Sequence, residues 1–97
     1  MMIPKKVNIL GKDYSISLKR RKGGTLGDVV IYGRANHLKN SIWINPQVNI
    51  QQRKETLLHE IIHVVNEELC LRFSEATVSR LSVGLYGVLK QNKIGFK

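Results

Sequence analysis

Residues 57–69 read Leu57-Leu58-His59-Glu60-Ile61-Ile62-His63-Val64-Val65-Asn66-Glu67-Glu68-Leu69, and this stretch decides the fold. Apolar residues fall at 57, 58, 61, 62, 65 and 69. That spacing puts them on one face of an α-helix, which turns every 3.6 residues. Upstream, Asn49 followed by Gln52 resembles a capping box, so the helix is predicted from about Ile50 to about Cys70. Downstream, Ser74 with Glu75 behind it reads as the N-cap of a second helix. Val78, Leu81, Leu85, Val88 and Leu89 would form its apolar stripe, with Gly84 and Gly87 allowing close packing. Asn92 and Gly95 mark its predicted end.

Before this point the period is two rather than 3.6. Lys6–Leu10 and Lys12–Leu18 flank Gly11, with Tyr14, Ile16 and Leu18 alternating. Gly23-Gly24 and Gly27-Asp28 punctuate a turn region. Val29-Val30-Ile31-Tyr32 reads as a central strand because it is dense in β-branched and aromatic residues. Gly33 to Asn40 is polar and reads as a turn. Ser41-Ile42-Trp43-Ile44-Asn45 is another strand, stopped by Pro46. Strands followed by helices predict an α+β domain, 1–48 mainly β and 49–97 two helices, within one domain spanning 1–97.

The 97 residues include 16 Lys and Arg against 7 Asp and Glu, a net charge of +9. Residues 1–58 hold 11 basic and 3 acidic side chains, so the excess is N-terminal and peaks at Lys19-Arg20-Arg21-Lys22. Such a run can attract nucleic acid or an acidic protein. No aromatic residue interleaves it to stack bases, and Gly23-Gly24 follows at once, so a solubilising hairpin tip is the simpler reading. The single cysteine, Cys70, excludes an internal disulfide and a four-cysteine zinc site; it reads as a small buried apolar residue. No apolar run reaches the roughly 20 residues of a membrane span, and the N-terminus lacks the apolar core of a secretory signal. A cytoplasmic protein without membrane contact is the expectation.

The chemistry lies in His59-Glu60-Ile61-Ile62-His63. Residues four apart on a helix are neighbours, so both imidazoles can reach one metal ion. Zinc suits this pair, since it takes imidazole nitrogen at about 2.0–2.1 Å in tetrahedral geometry. On a helical wheel with Leu57 at zero, the apolar residues span about 340° to 140°. His59 and His63 fall at about 200° and 240°, off that face. Glu60 sits beside the ion rather than bonded to it. There it can take a proton from a water whose acidity zinc has raised. A catalytic zinc usually has three protein ligands. Glu67 lies about 12 Å along the axis from His59, too far to share the ion. Glu75 opens a helix that must fold back on the first, which makes it the candidate third ligand, and a carboxylate suits a helix N-terminus. His37 lies in a polar loop and reads as exposed. Tyr86, about 16 Å along the helix from Glu75, reads as a core or rim residue.

Residues 57–63, with Glu75 and the small size, resemble a minimal gluzincin-type zincin. The comparisons are the minigluzincins and the ImmA/IrrE-like and phage-encoded small metallopeptidase-like proteins. The stretch from Ser74-Glu75 through Gly84-Leu85-Tyr86-Gly87-Val88-Leu89 to Asn92 is similar to the segment after the motif in such phage proteins. The resemblance covers about residues 29–92. It implies a small twisted antiparallel or mixed sheet of about 3–5 strands, packed on an active-site helix and a C-terminal glutamate helix. It also implies hydrolysis of peptide bonds with one Zn2+, His59, His63 and Glu75 as ligands and Glu60 as general base and acid. Ser41, Ile42, Trp43, Ile44 and Asn45 would be the edge strand above the cleft, where an extended peptide or protein substrate adds a strand. The second helix lacks a Glu-x-x-x-Asp signature, and no Tyr or His stands ready to stabilise an oxyanion. The competing reading is a catalytically weak zincin-fold binding protein that uses Lys19, Arg20, Arg21 and Lys22 to contact nucleic acid or an acidic partner. In a third, latent form the Lys93–Lys97 tail would occupy the site.

Overall fold

The first hairpin is set by two backbone residues. Leu10 and Gly11 both take positive φ, 52° and 89°. A two-residue turn of this kind matches the twist of the strands it joins. It links β1 (Lys6–Ile9) to β2 (Lys12–Ser17) as an antiparallel pair, Lys6 opposite Ser15 and Ile9 opposite Lys12. The Asn8 side chain accepts from the Gly11 N–H at 3.0 Å and donates to Asp13 at 3.0 Å, which fixes the turn. The computed structural model describes residues 3–20, 25, 26 and 29–95. Within them lie β3 (Thr25–Leu26), β4 (Val29–Val30), β5 (Gly33–Asn36), β6 (Ser41–Ile44), α1 (Ile50–Glu68) and α2 (Glu75–Gln91).

The main sheet has the order β1-β2-β6-β5 and is mixed. β2 and β6 run parallel, with Ser15 opposite Ser41 and Ser17 opposite Trp43. β5 and β6 run antiparallel, with Gly33 opposite Ile44 and Asn36 opposite Ser41. Alternation sends Ile42 and Ile44 to one face and Trp43 to the other. Ile9, Tyr14, Ile42 and Ile44 join Leu57 and Val64 of α1 in one buried cluster. The sheet therefore packs on one side of α1, in an α+β arrangement.

Helix boundaries follow their caps. The Asn49 carboxamide accepts from the Gln52 N–H at 2.8 Å, and α1 starts at Ile50. Arg53 donates to the carbonyls of Val48 and Pro46, pinning the loop from β6 into α1. α1 ends at Glu68, two residues before the expected Cys70, because Cys70 takes φ 51° and leaves the helix. The Ser74 side chain accepts from the Thr77 N–H and starts α2, which ends at its C-cap, Asn92. Among the described residues no helix is long and apolar enough to cross a membrane.

Several expectations are overturned. Val29–Val30 is not a central strand; it pairs with Thr25–Leu26 in a separate two-stranded sheet. Ile31 and Tyr32 lie outside any strand, because buried Asn45 takes both carbonyls, Ile31 through its side chain at 3.0 Å and Tyr32 through its N–H at 2.7 Å. Residues 33–36, read as a turn, form β5, and only 37–40 turn. Ser41-Ile42-Trp43-Ile44-Asn45 is not an edge: β6 is hydrogen-bonded to β2 on one side and β5 on the other. Cys70 is exposed. On α2 the buried residues are Val78, Ser82 and Tyr86, one line at four-residue spacing, whereas Leu81, Leu85 and Val88 are exposed. α2 packs on α1 with that line turned inward, flanked by half-buried Thr77, Ser79, Gly87 and Leu89. Gly23-Gly24, Gly27-Asp28, Arg21, Lys22 and the last two residues of the tail lie outside the described residues.

Candidate metal centre

α1 carries His59 and His63 one turn apart, with ring centroids 4.7 Å apart. α2 begins with Glu75, and its carboxylate spans the two rings. Oε1 lies 3.0 Å from His59 Nε2, and Oε2 lies 2.8 Å from His63 Nε2. The three residues each offer a ligand atom, all within 4.8 Å of one another. Side-chain exposure rises from 19% at His59 and 31% at His63 to 67% at Glu75, so the group opens toward solvent on the carboxylate side.

The turn that delivers Glu75 is held by one side chain. Asn66 accepts from the Phe73 N–H at 2.9 Å and donates to the Phe73 carbonyl at 3.2 Å. Two hydrogen bonds from one amide clip the chain to α1 two residues before Glu75. Between Glu68 and the clip the chain passes through left-handed backbone at Cys70 and at Arg72, φ 60°. Non-glycine residues accept that region at some cost, repaid here by a tight helix-to-helix reversal.

Glu60 lies on the buried side of α1 with Thr56, Leu57 and Val64, and only 7% of it is exposed. The buried side is thus rotated toward the histidines relative to the apolar residues, since α1 is covered by both the sheet and α2. Burial pushes the Glu60 carboxyl from 4.5 to about 7, and the charge of Glu75 pushes the same way. The Ala35 backbone N–H and the charge of Arg34 pull it down. β5 comes this close because residue 33 is glycine. A Cβ there would meet Thr56 Cγ2 at 2.5 Å, the Trp43 carbonyl at 2.9 Å and Glu60 Cγ at 3.5 Å.

These groups line a cleft of about 650 Å3. Gly33, Arg34 and Ala35 of β5 form one wall, and Glu75, Ser79 and Ser82 of α2 form another. His59, Glu60, His63 and Glu75 come together there as the sequence suggested. The strand Ser41–Asn45, expected to bind substrate, does not line it. It is an interior strand; of the two edge strands, β1 and β5, it is β5 that borders the cleft. His37 is exposed and lines the cleft; Glu67 also lines it but stays outside the ligand group. Tyr86 is buried. Lys19 and Arg20 are exposed, and the Lys19 carbonyl accepts from the Trp43 indole at 2.7 Å. Sequence reasoning missed Gly33, Ala35, Asn66 and Ser82. Ser82 carried a signal, since it lies two helical turns beyond Glu75 on the same face.

The donor set has a chemical requirement. Neutral imidazole Nε2 and carboxylate oxygen are both acceptors when Nδ1 carries the proton, so the three atoms repel unless a cation lies among them. A tetrahedral zinc with bonds of about 2.0–2.1 Å separates its ligand atoms by roughly 3.3 Å. The Glu75 contacts, one through each carboxylate oxygen, are within about 0.5 Å of that spacing, whereas the three ligand atoms spread up to 4.8 Å, so the side chains would draw in around the ion. Two imidazoles and a carboxylate also suit zinc by ligand type. No family model matches the chain, and neither the curated proteins nor the solved structures return a match.

Proposed function

We propose that the chain is a zinc-dependent hydrolase of peptide bonds, a minimal zincin-like metallopeptidase. The observation that carries this reading is the convergence of His59, His63 and Glu75 next to a buried carboxylate, Glu60. A zinc ion held by the three would acidify a water and polarise a carbonyl. The other steps belong to the protein. A Glu60 carboxylate oxygen takes the proton of the attacking water and returns it to the leaving amine nitrogen. A carboxyl near neutrality exists in both forms, as that exchange requires.

An extended substrate fits β5 rather than β6. The Asn45 N–H bonds the Tyr32 carbonyl, and bonding alternates along an antiparallel pair. Gly33 and Ala35 therefore turn their backbone groups away from β6, toward the cleft. A peptide laid along that edge would gain main-chain hydrogen bonds beside Glu60.

The test measures zinc by mass spectrometry and cleavage of an unstructured peptide mixture. Wild type is expected to hold one zinc and cleave; Glu75→Ala to lose zinc; Glu60→Gln to keep zinc and lose cleavage. A wild type that binds no zinc, or a Glu60→Gln variant that cleaves as fast, overturns the proposal.

A further inference from the structure

Ser82 lines the cleft from α2, beside the ring of His59. It is 2% exposed, so no bulk water competes for its hydroxyl. Its Oγ donates to the Ser79 carbonyl of the preceding turn at 2.9 Å. The same Oγ lies 3.3 Å from His59 Nδ1.

A hydroxyl has one proton and two lone pairs. The proton is committed to Ser79, as a serine back-bond on a helix. Only acceptor capacity remains toward His59, so the proton between them must belong to Nδ1. A hydrogen bond there selects the Nδ1–H tautomer, with the Nε2 lone pair directed at Glu75, 3.0 Å away, against the pull of that carboxylate for a proton on Nε2. A histidine left alone carries its proton on either nitrogen. With the proton on Nε2, His59 would donate to Glu75 and present no lone pair to a metal.

We propose that Ser82, itself held by the Ser79 carbonyl, is a positioning residue that fixes His59 in the Nδ1–H tautomer and so pre-sets its Nε2 for a divalent cation. Such outer partners orient metal-binding imidazoles, and their loss costs about 10–100-fold in metal affinity. The role falls to α2, the helix that also brings Glu75. Docking of one helix therefore supplies both the third ligand and the group that prepares the first. His63 has no such partner among the described contacts of its Nδ1, so its tautomer should be indifferent to Ser82. The inference rests on the metal-centre reading only for its consequence; the tautomer itself is a property of the metal-free protein.

The experiment uses 15N-labelled histidine in the full chain, zinc-free, at a pH where the imidazoles are neutral. Wild-type His59 is expected as Nδ1–H. Ser82→Ala is expected to move His59 toward Nε2–H, to leave the His63 signals in place, and to weaken zinc binding about tenfold in a chelator competition. His59 as Nε2–H in wild type overturns the proposal. So does an unchanged His59 tautomer in Ser82→Ala, or unchanged zinc affinity. If the wild type binds no zinc at all, the metallopeptidase reading fails, and the His59 signals still decide the role of Ser82.

Discussion

Replacing Glu60 by glutamine is expected to stabilise the metal-free protein, and by an amount that depends on pH. Glu60 is buried, and its carboxyl titrates at about 7 in the fold against 4.5 in an unstructured chain. At about 1.4 kcal/mol per pH unit, that gap corresponds to roughly 3 kcal/mol. Below 4.5 the group is neutral in both states and costs nothing. As pH rises from 4.5 toward 7, the unfolded chain ionises while the fold still holds the proton, so stability falls. Above about 7 the fold carries the full cost of a buried charge beside Glu75. Glutamine has the same shape, keeps an oxygen for the Ala35 N–H and never ionises. Urea unfolding of both proteins across this range should give nearly equal stabilities at the acid end. At the alkaline end the variant should lead by about 3 kcal/mol. Ionisations elsewhere cancel in the difference. Under the proposed function, saturating zinc should shrink the alkaline lead, because a nearby cation favours the charged carboxylate. A difference that stays flat from acid to alkaline pH would refute the claim that burial governs Glu60.

Three other substitutions probe the frame. Gly33→Ala forces a methyl against Thr56 and the Trp43 carbonyl and should cost about 1–3 kcal/mol in denaturant unfolding; an unchanged midpoint would show that β5 does not press on α1 there. Asn66→Ala removes both hydrogen bonds to Phe73 and should lower stability by about 1–2 kcal/mol, with weaker zinc binding because Glu75 loses its anchor; unchanged values for both would dismiss the clip. Tyr14→Phe deletes a buried hydroxyl that has no hydrogen-bond partner among the described residues, so it should be neutral or stabilise by about 1 kcal/mol in thermal unfolding; a loss of that size would mean the hydroxyl is satisfied after all.

The helices and the four site residues were legible because their signals are local. A capping side chain reaches only three residues, and two imidazoles four apart need only a helix. Asn49, Ser74, His59, His63 and even Glu75 could be placed from spacing alone. The sheet was less legible because its order depends on long-range pairing. Parallel pairing of β2 with β6 crosses more than twenty residues, and no local pattern announces it. β5 was missed because Gly33-Arg34-Ala35-Asn36 has no β-branched or aromatic residue; it is a strand because it lies beside β6 and against Thr56 and Glu60. The same absence of bulk lets it approach the site. Leu81, Leu85 and Val88 misled in the opposite sense, since periodicity finds an apolar face and not what covers it.

The way α2 is attached bears on the proposed chemistry. Its buried residues are Val78, Ser82 and Tyr86, and one of the three is polar. Polar contacts hold α2 at both ends: Lys90 donates to Gln51 at 3.1 Å near its C-terminus, and its N-terminal end has the Asn66 clip at Phe73, the Ser74 cap, and Glu75 between two histidines of α1. In the metal-free protein a proton on His63 Nε2 would mediate that last contact, since His59 turns a lone pair toward Glu75; a divalent cation would serve both rings without one. Metal binding and α2 docking would then draw on the same free energy, as they do wherever a site is completed by folding. A chain with a core this small has reason to combine them. Under the proposed function, the ligand that completes the site would also help hold the second helix, and with it the cleft wall formed by Ser79 and Ser82.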